Sequence, residues 1–526
     1  MSESNSCENV DGMKFSGGAE AKKWWQTGVV YQIYPRSFAD SNADGVGDLQ
    51  GIRARLDYLQ WLGVDVVWLS PVFRSPMKDF GYDVSDYCDI DRVFGTLADM
   101  DALIADCHGR GIRLMLDWVP NHTSSEHPWF LESRQDRTNP KADWYVWRDE
   151  PANNWLASFP RGEQAWAFDD VRQQWYLRCF LREQPDLNWD VPEVERAMHD
   201  TLRFWLDRGV DGFRMDVVHL IGKNLEQNDP EAAVAKGFGH VPFNDVAVTH
   251  QRLRAIRRVL DSYDGDRTSV GEVYLLDEER MAAYYGTNDE LNLSFNFSFL
   301  WAPWKASALR DKITATMRSL EPRDAWPTWV LSNHDVVRHR QRYGGSESSA
   351  RVAAVMLLTL PGTPFIYQGE ELGLVDAVIP ADRIVDQDGR DGCRAPIPWT
   401  SDPHHGWPTD PWLPFVSAAS DSNVESLQAD TGSILNLYRS LLRIRRERAE
   451  LQAGTFTMID RHDDAIVYQR SLDSQICTVV LNLGDESVSV AELAGQRVLL
   501  TTVVTDVGAP SDGIVAARSA LVATPT

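Results

Sequence analysis

Four times along the chain a short apolar run ends in carboxylate, histidine or asparagine. The runs are DWVPNH (Asp117 to His122), DGFRMDVVH (Asp211 to His219), VGEVY (Val270 to Tyr274) and LSNHD (Leu331 to Asp335). Side chains alternate across a strand, so Arg214 and Asp216, two apart, share one face. A cation beside a carboxylate keeps it ionised and fixes its direction. Taken alone, that pair reads equally well as a structural salt bridge at a strand end. The fourfold recurrence is what constrains the fold: strands whose polar ends converge on one site describe a closed parallel barrel.

The intervening sequence supplies the helices. VVYQIYPRSF (Val29 to Phe38) is the first strand. Leu49, Ile52, Leu56, Leu59 and Leu62 recur at helical spacing up to Gly63. VDVVWLSPV (Val64 to Val72) is nearly all apolar, as a parallel strand covered on both faces should be. A second helix through Leu97, Met100, Ile104 and Cys107 leads to IRLMLDWV (Ile112 to Val119). Beyond 123 the rhythm breaks into Trp-, Pro- and Asn-rich sequence as far as about 188, then resumes with a helix at Val194 to Arg208. Thr268 to Tyr274, Leu291 to Phe299, Pro327 to Asp335 and Thr363 to Glu371 bring the strand count to eight. A Pro/Trp/Asp-rich loop (Ile379 to Ser420) and a helix near Ile434 to Glu447 follow, and from Phe456 short alternating runs indicate an antiparallel sandwich. The predicted fold class is α/β, a (β/α)8 TIM barrel over 23–122 and 189–450. A small inserted domain occupies 123–188 after strand three, and a C-terminal antiparallel β-sandwich domain 451–526. Residues 1–22 are expected to be a mobile tail.

Composition excludes several functions. With 526 residues, 43% apolar and a formal charge of −25, the chain is large enough for a barrel with appendages and too acidic to suit nucleic acid or an anionic membrane. Cys7, Cys88, Cys107, Cys179, Cys393 and Cys477 show no CxxC spacing, which argues against zinc and against a disulfide framework. No apolar h-region opens the sequence and no apolar run nears about 20 residues. A cytoplasmic location is expected, with no membrane partner and no organic cofactor; the sequence leaves the oligomeric state open.

In DSNADGVGD, oxygen donors fall at Asp40, Asn42, Asp44 and Asp48, with the Val46 carbonyl between and Gly45 at the turn. This is the ligand order of a calcium loop, although the twelfth residue is Gly51 rather than Glu. A structural Ca²⁺ or Mg²⁺ is expected; an ion-free Asx-rich turn is the other reading.

Asp216, Glu272 and Asp335 stand at or just past the ends of strands four, five and seven. Two acids flanking a glycosidic bond suffice for sugar hydrolysis, and a third can steady oxocarbenium-like charge. His122 and His334, each after an Asn, are candidate grips for sugar hydroxyls.

DWVPNH, GFRMDVVH, GEVY and LSNHD resemble the four signature regions of the α-amylase family of glycoside hydrolases. QPDLNW (Gln184 to Trp189) resembles a further region typical of oligo-1,6-glucosidases and α-glucosidases. SPMKDFGYDVSDYCDID (Ser75 to Asp91) resembles the segment sealing the glucose subsite in those exo-enzymes. The likeness spans nearly the whole chain. It implies Asp216 as nucleophile, Glu272 as acid/base and Asp335 as transition-state stabiliser, with Arg214 orienting Asp216. It further implies Asp83, His122 and His334 on the innermost glucose. An Arg after strand eight, Arg390 in preference to Arg394, would pair with Asp83, and Phe159 would form an aromatic wall. The metal loop matches one found in this group. The implied substrates are small α-glucosides, cleaved with retention. Val217 and QPDLNW resemble 1,6-active relatives, whereas DVVHLIGK before an acidic loop resembles α-1,4-glucosidases. The expectation is α-1,4, with α-1,6 or a sucrose-acting transglucosidase or isomerase as alternatives and a non-catalytic binding subunit disfavoured.

Overall fold

The computed structural model describes residues 14–15, 22–229, 244–459, 462–503 and 507–526. Of the predicted tail, Lys14–Phe15 pairs antiparallel with Thr457 and Phe456; most of the rest, and Cys7, lie outside the described residues.

Eight parallel strands form a nearly closed barrel. They are β1 (Val30–Ile33), β2 (Val66–Leu69), β3 (Arg113–Trp118), β4 (Gly212–Met215), β5 (Thr268–Gly271), β6 (Leu293–Ser294), β7 (Thr328–Val330) and β8 (Thr363–Tyr367). Hydrogen bonding runs from β6 through β5, β4, β3, β2, β1 and β8 to β7, which leaves one seam between β6 and β7. Val30, Val66, Trp68, Met115, Val270, Leu293, Val330 and Phe365 from seven of these strands pack into one buried cluster, so the interior is a core and not a pore. β4 opens on Gly212 because a Cβ there would stand 2.7 Å from the Thr268 carbonyl oxygen of the neighbouring strand.

Several predicted elements are shorter than expected. β1 stops at Ile33 because Pro35 begins a 3₁₀ turn, Pro35–Ser37. The helix expected over Leu49 to Leu62 is two, Leu49–Ala54 and Leu56–Leu62, divided at Arg55. The sixth strand is only Leu293–Ser294, and Phe297–Leu300 is helical. Asn296 accepts from the Phe299 amide (2.9 Å) and so starts a helix where an apolar run predicts continued strand.

Between β3 and the helix Pro192–Asp207, an antiparallel three-stranded sheet joins Trp147–Arg148, Gln174–Leu177 and Trp166–Asp169. At the C-terminus a six-stranded antiparallel sheet and the pair Val488–Ser489/Ile514–Val515 face each other across Val467, Val480, Val490 and Val515.

Candidate active site

The polar strand ends meet at one end of the barrel. Arg214, on β4 and only 2% exposed, is the centre of the cluster. Its Nη1 donates to Asp216 Oδ1 (2.7 Å), Asp117 Oδ1 (2.8 Å) and the Tyr82 hydroxyl (3.3 Å), and its Nη2 to Glu272 Oε2. Asp117 is on β3, Asp216 follows the last residue of β4, and Glu272 follows the last residue of β5. Three carboxyls thus share one guanidinium. Burial pushes the Asp216 carboxyl well up, Arg214 opposes, and the neighbouring Glu272 and Asp117 add to the rise. Burial likewise raises Asp117, to about 6, against the pull of Arg214. The Arg214 guanidinium is the positive charge set against the cost of burying Asp216 and Asp117. Asp216 and Glu272 face each other across that guanidinium, one on each terminal nitrogen.

The residue after Asp216 is backbone-constrained. Val217 sits at φ 33°, ψ 39°, a left-handed conformation that β-branched residues rarely adopt. The turn aims the Val217 amide at Glu272 Oε2 (3.2 Å), while the side chain joins Trp155, Cys179 and Leu220 in a separate buried cluster. His219 Nδ1 lies 3.0 Å from the Glu272 carbonyl oxygen and holds that backbone from behind.

Asp335 lies five residues past β7. Its Oδ1 accepts from Arg390 Nη1 (3.1 Å) and Arg394 Nη2 (3.0 Å), and its Oδ2 is 3.1 Å from His334 Nε2. Despite burial, His334 and these arginines hold the Asp335 carboxyl well below the usual carboxylate range. His334 is fully buried, and burial lowers its imidazole to about 3, so the ring is neutral. Gln32 Nε2 donates to Ser70 Oγ (3.0 Å) and faces His334 Nδ1 at 2.8 Å. This assigns the ring proton to Nε2, directed at Asp335 and the Tyr82 oxygen (2.5 Å). Tyr82 stacks on the ring at 5.5 Å and 7°.

Arg390 also pairs with an acid of the Ser75 to Asp91 segment, but a different one from that expected. Its Nη2 pairs with Asp79 Oδ1 (3.0 Å) and Asp386 Oδ1 (2.6 Å), and Phe159 packs 5.1 Å from its guanidinium. Asp83 does not meet it. Asp83 is fully buried and accepts from Ser75 Oγ (2.8 Å) and from the amides of Lys78 and Asp79 (both 3.0 Å), which pins its own turn. The turn's tightness is the reason: Asp83 folds back on its amides, which leaves Asp79 to reach Arg390. Asp79 in turn accepts from Gln184 Nε2 (3.0 Å), whose amide nitrogen also lies 3.1 Å from His122 Nε2. Burial lowers His122 to about 4, hence it too is neutral.

The structure thus brings together Asp216, Glu272, Asp335, Arg214, His122, His334, Arg390 and Phe159, and leaves out Asp83. The sequence reading missed Asp79, Tyr82, Asp117 and Gln184. All four stand inside the motifs quoted above; polarity at a strand end or sealing loop was the available signal.

The loop Asp40 to Asp48 is separate. Its side-chain donors are oxygen, the chemistry of a hard cation. Asp40 accepts from the amides of Asn42, Ala43 and Gly45 (2.8–2.9 Å), and Asp44 from that of Val46 (2.8 Å). Asp48 caps the helix Leu49–Ala54 through the Gly51 amide (2.7 Å) and also binds Ser41. Among the described residues no group of three His, Cys, Asp or Glu side chains converges to hold a metal, and no helix is long and apolar enough to cross a membrane.

The chain is similar to known proteins over most of its length. Residues 32–454 match the family described as alpha amylase, catalytic domain. A probable alpha-glucosidase of Rhizobium meliloti (strain 1021) is 40% identical, over 89% of this chain and 90% of its own length. An oligo-1,6-glucosidase of Parageobacillus thermoglucosidasius is 37% identical over 88% and 91%. The crystal structure of the alpha-glucosyl transfer enzyme XgtA superposes with a TM-score of 0.89 at 38% identity, over 96% of this chain and all of that one.

Proposed function

Because the chain belongs to the α-amylase family of glycoside hydrolases, we propose that it is an exo-acting, retaining α-glucosidase that releases terminal glucose from short α-glucosides such as maltose. The observation that carries this reading is the Arg390 clamp, which ties Asp79 to Asp335; on this reading the clamp forms a closed end for one sugar ring. A closed end excludes internal cleavage of a long chain.

In the proposed mechanism the ionised Asp216 carboxylate, whose charge Arg214 supports against burial, attacks the anomeric carbon while protonated Glu272 gives its proton to the departing glycosidic oxygen. The product is a β-glucosyl ester on Asp216. Glu272 then takes a proton from water, whose oxygen displaces the carboxylate and restores the α configuration. Asp335, kept anionic, offsets the positive charge on the ring in both transition states. Arg214 holds Asp216 in line, and His122, His334, Asp79 and Arg390 hold the glucose. That one Arg214 guanidinium bonds both Asp216 and Glu272 supports retention, since a shared guanidinium keeps the two carboxyls close, whereas an inverting pair stands about 6.5–9.5 Å apart to admit water.

The test is glucose release from equal concentrations of maltose, isomaltose and sucrose, with products separated by chromatography. Maltose should dominate. Dominant isomaltose cleavage would replace this with the oligo-1,6-glucosidase reading, which Val217 and the Parageobacillus relative favour. Net formation of larger or rearranged sugars would favour the transfer reading, to which the likeness to XgtA lends support.

A further inference from the structure

Among the apolar side chains that the barrel leaves exposed, Trp301 stands out by its position and its fixation. It is 44% exposed, yet it is held at several points. Its indole Nε1 donates to the Tyr274 hydroxyl (2.8 Å), and the Arg342 guanidinium lies 5.5 Å from its ring centre. Arg342 is itself fixed by the Leu300 carbonyl (2.7 Å), the Val337 carbonyl (2.9 Å) and the Leu331 carbonyl. An exposed indole ordinarily turns freely, and ordering it on a ligand costs entropy; here that ordering is already made.

The position connects the ring to the chemistry. Past β5 the chain alternates, with Glu272 and Tyr274 partly exposed and Val273 and Leu275 buried. Glu272 and Tyr274 therefore face the same open side. Tyr274 also packs on Phe297, 4.5 Å between ring centres, at the end of the short strand β6. On the proposed reading Arg390, Asp79 and the histidines hold the innermost glucose, whereas Trp301 is joined through Tyr274 to the neighbourhood of Glu272, the group that would protonate the leaving sugar. A pinned, half-open aromatic face there matches the apolar C–H face of a sugar ring.

We propose that the Trp301 indole, held by Tyr274, is the stacking platform for the acceptor-side sugar, the ring that leaves with Glu272's proton or returns to take up the glucosyl group in place of water. The proposal rests on the glucosidase reading above. It assigns to Trp301 binding of the leaving or accepting sugar and a share in the partition between hydrolysis and transfer.

The test compares maltose with α-D-glucosyl fluoride, whose leaving group carries no ring. In Trp301→Ala, kcat/KM for maltose should fall about fivefold more than that for the fluoride, the scale of one aromatic contact. The ratio of transfer products to free glucose at high maltose should fall with it. Trp301→Phe should recover most of both effects, and Trp301→Leu, which keeps bulk without an aromatic face, should behave as the alanine variant does. Equal losses on the two substrates, or a leucine variant indistinguishable from the native enzyme, would overturn the proposal. If the unaltered enzyme turns over neither maltose nor the fluoride, it is the glucosidase reading itself that fails.

Discussion

Replacing Arg390 with alanine removes a side chain that contacts Asp79, Asp335 and Asp386 together. Removing one partner of a buried ion pair costs about 3–5 kcal/mol, and the 16% exposure of the Arg390 side chain puts this case at the low end. The variant should fold, with a lower melting temperature. The larger effect should be on the sugar. Burial already raises the Asp79 carboxyl above its ordinary range, with Arg390 the foremost opposing charge and Arg394 the next. Without Arg390 the carboxyl rises further, toward the pH of assay. Asp79 should then bind sugar only when it ionises, and kcat/KM for maltose should be lower by about 10²-fold near neutral pH, the worth of one charged contact. It should climb with pH over a range where the native profile is flat. Steady-state kinetics from pH 5 to 9 would read this directly. Asp79→Asn should lose the pH dependence, and the double variant should lose less than the sum of the single losses. A native-shaped pH profile in Arg390→Ala, together with additive losses, would refute the clamp and leave Arg390 a purely structural residue.

Other expectations follow from the same geometry. Glu272→Gln should retain cleavage of activated aryl α-glucosides, whose leaving groups need little protonation, while losing maltose hydrolysis; equal losses on both would mean that Glu272 is not the acid. If the Asp40–Asp48 loop holds a hard cation, EDTA should lower the melting temperature and Ca²⁺ or Mg²⁺ should restore it; an unchanged melt would leave the loop an Asx-rich turn. Glu370 is buried behind β8 among Tyr438, His339 and Glu371, and burial raises it to about 8. Between its ordinary value near 4.5 and about 8 the folded state holds a proton that the unfolded chain has lost, so stability should fall as pH rises through that window. Glu370→Gln should flatten this decline in melting temperature, and an unaltered slope would exclude the assignment.

The barrel was legible because parallel strands buried on both faces write themselves as apolar runs, and their helices as spaced leucines. The lengths were not. β6 is cut short by Asn296, whose side chain supplies a helix cap at the point where a strand was expected. Asp216 and Glu272 could be picked out as candidate acids because each follows a strand directly, whereas Asp335, five residues past β7, was marked only by the motif LSNHD. Asp79 could not be told from Asp83, because which of two acids four residues apart faces the pocket depends on the turn between them. There the amides of residues 78 and 79 both point at Asp83, a fact of backbone geometry that residue type does not carry. Arg390, by contrast, could be preferred to Arg394, and both reach Asp335.

The left-handed turn at Val217 bears on how this enzyme can change. One residue there presents its amide to Glu272 and plugs its side chain into the cluster around Trp155. A glycine or asparagine would relax the backbone yet vacate the plug, and a larger residue would fill the plug at the risk of moving the amide. Substitutions at 217 that redirect linkage preference therefore start from a deficit in folding or in turnover. In a laboratory lineage they should survive mainly after a stabilising change elsewhere has been fixed, which makes the order of mutations, and not only their identity, part of how specificity at this position is inherited.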